Sequence, residues 1–219
     1  MPYPANHRVE QKRAIIDSAR KLFNRSGFDN VSLHEIMAGA GLTHGGFYSY
    51  FKSKSDLYTE VLGCFFTDPN WKSRWEGVHV DLDSAEAGPQ IVRAYLSRQH
   101  FDDVENSCPM IALPSDVARS DETVKKAFET VFKAMVTLLG RDVRNDSQPR
   151  EDTAMVIAAL CIGGMVVARS VNDRDLADRL REAATNGALA LGGWTSARAL
   201  RSQERTPRKA QRSSQATSS

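Results

Sequence analysis

The segment Thr43-His44-Gly45-Gly46-Phe47-Tyr48-Ser49-Tyr50 concentrates small hydrogen-bonding groups beside two residues that lack side chains. Thr43 and His44 offer donors and acceptors that match base edges and phosphate oxygens alike. Gly45 and Gly46 carry no Cβ, so the backbone there can approach another molecule closely. Ser49 and Tyr50 continue the polar series and are expected to face a groove. Lys54 joins a positive charge to the start of the next helix, a combination that holds phosphate. Ser32 brings a hydroxyl that can cap a helix and touch a phosphate. Phe47 and Phe51, one turn apart, belong to a buried side. No second ligand lies at helical spacing from His44, so the pattern is one of nucleic-acid contact and not of metal binding.

The elements that must carry these groups are written around them. Ser32 and Glu35 have the spacing of a capping box, and Val31 and Ile36 that of a hydrophobic staple. Leu33, Ile36 and Met37 then share one helical face. Gly41 falls where a helix must stop, because glycine takes positive φ without a Cβ clash. Thr43 starts a second short helix, Thr43 to Tyr50. Two short helices across a glycine turn make a helix-turn-helix, whose second helix enters the DNA major groove. Before it, Gln11 to Arg25 carries Ile15, Ile16, Ala19, Leu22 and Phe23 as a helical stripe; after it, Ser53 caps a helix from Lys54 to about Phe66. Further helices are predicted over Gln90–Phe101, Met110–Arg119 with a break near Pro114, Asp121–Val143, Glu151–Arg169 and Asp175–Leu191. No stretch alternates as a strand, so the fold class is all-α.

Charge is distributed unevenly. The 219 residues have a formal net charge of only +2. The first 54 residues nevertheless hold eight Lys/Arg against four acids, and residues 195–219 hold six against one, leaving an acidic middle. A basic head on an acidic body suits a protein whose head alone meets phosphate. The N-terminus has no apolar signal core. The apolar run Thr153–Ala168 is 16 residues, short of the roughly 20 that span a bilayer, so it reads as a buried helix and no membrane partner is expected. Cys64, Cys108 and Cys161 are odd in number and fit no metal or disulfide framework, which favours a reducing, cytoplasmic setting. The tail after Trp194 has little to bury and is expected to be disordered. The domains expected are 1–54 for the head, 55–194 for the body and 195–219 for the tail.

The string FNRSGFDNVSLHEIMAGAGLTHGGFYSYFKSKSDLY resembles the DNA-binding head of the TetR family of one-component transcriptional regulators. The resemblance runs from Gly27-Phe28 through Gly41-Leu42 to Phe47-Tyr48, Tyr50-Phe51 and Lys54. Tyr50 stands where many relatives carry His. The resemblance implies that Thr43–Tyr50 is the recognition helix and that Tyr48 contacts backbone phosphate. It further implies that the remaining helices form a ligand-binding and dimerisation body, most often that of a repressor released from a palindromic operator by an effector.

The body's own residues fit such a role. Trp71, Trp75, Tyr95, Cys108, Met110, Phe128, Phe132 and Met135 are the candidate ligand-binding groups, soft and aromatic as pockets for hydrophobic or aromatic molecules are. Gly163, Gly164, Leu176, Leu180, Ala184, Gly187 and Leu191, on the last two helices, are the candidate homodimer interface, packing with their twofold mates as a four-helix bundle. A second possibility is a thiol regulator in which Cys108 senses oxidants or electrophiles, although the neighbouring acids argue for an ordinary buried thiol. An enzyme using the body pocket is a third, and no acid, base and nucleophile constellation supports it. No cofactor is implied.

Overall fold

The computed structural model describes residues 5–67, 76–145 and 147–194. Among these the chain is helical, without strands. The head contains α1 (Ala5–Ser26), α2 (Leu33–Gly39) and a short 3₁₀ helix, His44–Ser49. α3 (Lys54–Thr67) leads to a body of α4 (Ala87–Tyr95), α5 (Arg98–Asp102), α6 (Pro109–Ala112), α7 (Pro114–Arg119), α8 (Glu122–Gly140), α9 (Arg150–Arg169) and α10 (Arg174–Leu191).

The head folds as its sequence punctuation dictates. Ile15, Ile16, Ala19 and Phe23 form the buried face of α1. Gly27, at φ 78°, ends that helix in a region a Cβ would strain. In α2, the Ser32 hydroxyl accepts from the Glu35 N–H at 3.2 Å, and the Glu35 carboxylate accepts from the Ser32 N–H at 2.8 Å. Such a box contributes about 1 kcal/mol. Gly41, at φ 70°, closes α2 as a Schellman motif: its N–H reaches the Ala38 carbonyl at 3.0 Å, and that of Leu42 reaches Met37 at 2.9 Å. α1 and α2 touch closely, since Ser18 Oγ donates to the Ile36 carbonyl at 2.8 Å and a Cβ at Gly39 would lie 2.3 Å from that hydroxyl.

Two helix predictions need correction. The segment expected as one helix, Gln90–Phe101, is α4 and α5, because the Ser97 hydroxyl caps a new start by accepting from the His100 N–H at 3.1 Å. The second helix of the motif is 3₁₀ and not α; adjacent glycines lower the propensity for a full α turn. The break at Pro114 falls as expected, between α6 and α7. Thr153–Ala168 is packed within α9, whose Ala154, Ile157, Ala158, Cys161 and Met165 are buried.

Among the described residues, two apolar clusters hold the chain. One joins Phe23, Ile36, Met37, Phe47 and Phe51 to Leu57, Tyr58, Val61 and Leu62 of α3, and reaches Leu113, Val117 and Val124. The expected boundary at residue 54 therefore lies inside one packed unit. The other gathers Val92, Leu96, Met110, Met135, Leu139, Ile157, Cys161, Met165 and Leu189 around the antiparallel pair α9 and α10. Trp194 seals its end, with Nε1 donating to the Asp142 carbonyl at 2.7 Å.

Candidate nucleic-acid interface

The 3₁₀ helix rests on Phe47, which is fully buried, and Phe51 follows it into the same core. This anchoring turns Thr43, His44, Gly45, Tyr48 and Ser49 outward, all exposed. The Tyr48 ring is 67% exposed and lies edge-on against Phe47, 5.3 Å between centroids. Thr43 precedes the helix in extended backbone and makes no side-chain capping bond. A Cβ at Gly45 would meet nothing within 4 Å, and one at Gly46 would meet the Met37 methyl at 3.6 Å and Thr43 Oγ1 at 4.0 Å. Glycine at 45 is thus not demanded by packing within the chain.

Ser32 is engaged at the cap, and its Oγ donates to the Glu35 carboxylate at 2.7 Å. Those bonds from Ser32, the backbone N–H first, hold the Glu35 carboxyl below the usual carboxylate range. Two of the predicted contacts sit differently from expectation. Lys54 folds inward: its ammonium lies 4.4 Å above the Phe28 ring and donates to the Phe28 carbonyl, and burial lowers its pKa. The aromatic face and the carbonyl engage the ammonium that was expected to hold phosphate. Tyr50 is half-buried rather than groove-facing, with its hydroxyl donating to Gln11 Oε1 at 2.5 Å. Arg8, which sequence reasoning missed, reaches the 3₁₀ helix from α1. Its Nη2 donates to the Ser49 carbonyl at 2.7 Å, and its guanidinium carbon stands 5.8 Å from the Tyr50 ring centre.

The head is tied to the body by α1. Asn24 Nδ2 donates to the carbonyls of Glu105 and Ser107 at 3.1 and 2.9 Å. Arg20 donates to the Glu105 carbonyl at 2.9 Å and to Asn106 Oδ1 at 3.0 Å. The Phe28 N–H donates to Asp116 Oδ2 at 2.9 Å.

Behind that loop lie several of the predicted ligand-binding residues. Tyr95, Cys108, Met110 and Met135 share the body core. The Tyr95 hydroxyl is buried without an oxygen or nitrogen partner, and burial, with Cys108 beside it, drives its pKa far up. Burial also pushes the Cys161 thiol up to about 12. Cys108 is fully buried, the environment of a structural thiol. Its N–H donates to His100 Nε2 at 3.3 Å, while His100 Nδ1 lies 2.7 Å from the Tyr95 carbonyl, which assigns the ring proton to Nδ1. Arg169 completes the network, donating to Ser107 Oγ at 2.9 Å. Phe128 is half-buried between the two clusters. Phe132 instead lines an open cleft of about 540 Å³ between α8 and α9, with Lys133, Arg150 and Met155. Trp71 and Trp75 lie outside the described residues, as does the tail 195–219.

The predicted dimer residues also divide. A Cβ on Gly164 would come 2.6 Å from the Cβ of Ala184, so these two pack α9 on α10 within one chain and are removed from the interface set. Gly163, with nothing within 4 Å of its Cβ position, faces outward. It continues an exposed apolar stripe that the sequence reading missed, with Met155, Val156 and Val167 at 39, 44 and 49% exposure. Leu176, Leu180, Gly187 and Leu191 are half-buried.

Residues 15–61 match the model of the bacterial regulatory proteins of the tetR family. The chain is 44% identical over 52 residues to the HTH-type transcriptional regulator AcrR of Shigella flexneri, covering 24% of each chain. The chain therefore spans about a quarter of that relative's length. Similarity to solved structures extends further. The reduced form of Escherichia coli NemR aligns with TM-score 0.64 and 19% identity, over 81% of this chain and 94% of that one. The transcriptional regulator FadR from Bacillus subtilis, in complex with stearoyl-CoA, aligns with TM-score 0.61 and 16% identity, over 84% and 99%. At these identities the shared property is the fold.

Proposed function

We propose, from the premise that this chain belongs to the TetR family of bacterial regulatory proteins, that it is a homodimeric transcriptional repressor acting in the cytoplasm. Two heads bind one palindromic operator, and a small hydrophobic or aromatic effector in the body releases it. The observation that carries the DNA-binding reading is the outward face of the 3₁₀ helix: Thr43, His44, Gly45, Tyr48 and Ser49 are exposed together on a fully buried Phe47. A rigidly seated element holds its donors in register with a groove, and without that seating the contacts would each cost ordering entropy.

Support for an effector comes from the body's apolar core, where Cys108 lies beside the buried Tyr95 hydroxyl, and from a relative of the same fold solved with stearoyl-CoA. The effector acts by binding more tightly to the spacing of heads that does not fit the operator. Support for the dimer comes from the outward stripe of α9, since paired heads read paired half-sites. Selection of bound duplexes from a random DNA pool tests the reading. Enrichment of an inverted repeat is the expected result; a pool that stays random contradicts it.

A further inference from the structure

The geometry points to Arg8 as a phosphate-contacting residue of the head, filling the role expected of Lys54; this rests on the DNA-binding reading above. Most other cations of the head are engaged within the chain. Lys12 pairs with Glu60 at 2.8 Å. Arg20 and Lys21 share Asp17 at 2.5 and 2.7 Å, and Arg25 pairs with Glu105. Lys54 is folded over Phe28. Arg8 differs from the paired cations in that its contacts are the Ser49 carbonyl and the Tyr50 ring and not a carboxylate, and from the half-buried Lys54 in being exposed.

Its placement is equally specific. The Ser49 carbonyl lies at the C-terminal end of the recognition element, next to the exposed Tyr48. The bond to it uses one N–H of the five a guanidinium carries. The ring of Tyr50, itself tethered to Gln11, limits the directions the plane can take. An exposed guanidinium so oriented presents a planar fork of donors beside the face that meets DNA, the geometry that suits a phosphate. Arg13, the next basic residue on α1 after Lys12, sits about 140° further round the helix at ~100° per residue and so points away from this edge.

The competing role is purely structural, in which Arg8 only holds the end of the turn. Salt dependence separates the two, because each phosphate contact releases counterions and steepens the fall of affinity with salt. The experiment measures binding of the full chain to a duplex from the selection, and to a scrambled duplex, over a series of salt concentrations for the parent, Arg8→Gln and Arg8→Lys. The expected result is a slope of log K against log salt shallower by about one per bound chain in Arg8→Gln on both duplexes. Arg8→Lys keeps the parent slope. A parent slope unchanged in Arg8→Gln overturns the assignment, whether or not affinity falls, since a lost positioning bond lowers affinity without changing the counterion count. A parent that binds neither duplex overturns the regulator reading itself, and the Arg8 assignment falls with it.

Discussion

The side-chain amide of Asn24 in the head donates to the main-chain carbonyl of Ser107 in the body at 2.9 Å. Ser107 is in turn joined through its hydroxyl to His100, at 2.9 Å, and the next residue is the buried Cys108. One loop therefore grips the head on one side and the body core on the other. Asn24→Ala removes donors from two carbonyls, and unmade bonds of this kind cost about 1–3 kcal/mol. The expected outcome is faster alkylation of Cys108 by N-ethylmaleimide, followed peptide by peptide, because reagent reaches a buried thiol through local opening. Cys161, buried in the middle of α9, serves as the control and keeps its rate. Equal acceleration at both thiols would indicate global loosening and refute a local clamp.

Two glycines on either side of the motif's turn have opposite roles. Gly41 has positive φ, so Gly41→Ala strains the backbone and destabilises the chain by about 1 kcal/mol or more. Gly45 has open space around its Cβ position. Gly45→Ala leaves the melting temperature unchanged or slightly raised, yet lowers operator affinity about tenfold by obstructing close approach, within the 1–3 kcal/mol of a lost direct contact. Thermal unfolding and DNA titration of the two variants check this. Loss of stability in Gly45→Ala would mean that packing, and not recognition, requires that glycine.

The capping box predicts a pH dependence. The Glu35 pKa is depressed in the fold by bonds from Ser32. A depressed carboxyl contributes stability that is complete above its unfolded value, about 4.3, and lost as pH falls through the folded value. Parent and Glu35→Gln should therefore differ in melting temperature at pH 7, and the difference should shrink as the pH falls through the depressed folded value. A difference that persists at low pH would place the contribution elsewhere.

For the dimer, Val167→Asp puts a charge on the exposed stripe of α9 and should give monomers by sedimentation, with the melting of each chain little changed. Gly164→Val should do the reverse: a branched side chain against Ala184 overpacks the chain's own core at about 1–3 kcal/mol. At ~2–4 °C for each kcal/mol in a chain of this size, a melting shift is readily seen. Dimers that survive Val167→Asp would exclude this face.

These cases show what the sequence made legible. The cap at Ser32, the stop at Gly41 and the buried pair Phe47 and Phe51 were readable because each depends on neighbours a few residues away. Lys54 was misplaced because Phe28, which captures it, lies 26 residues earlier. Arg8 was missed for the same reason, since it meets Ser49 across 41 residues. Gly163 and Gly164 differ by one step of about 100° around a helix, and periodicity alone did not say which of them faced α10. The body core was legible in its composition, but not in its division between the closed cluster around Tyr95 and Cys108 and the open cleft beside Phe132.

On the reading proposed above, the outward face of the His44–Ser49 helix reads base sequence. Its most direct test is the affinity of parent, Thr43→Ala and Tyr48→Ala for the selected duplex and for a scrambled one at the same salt. The parent is expected to prefer the selected duplex by about a thousandfold or more. Thr43→Ala should lose part of that preference, and Tyr48→Ala should lose affinity for both duplexes alike, as a phosphate contact does. Equal affinity of the parent for the two duplexes would contradict the claim.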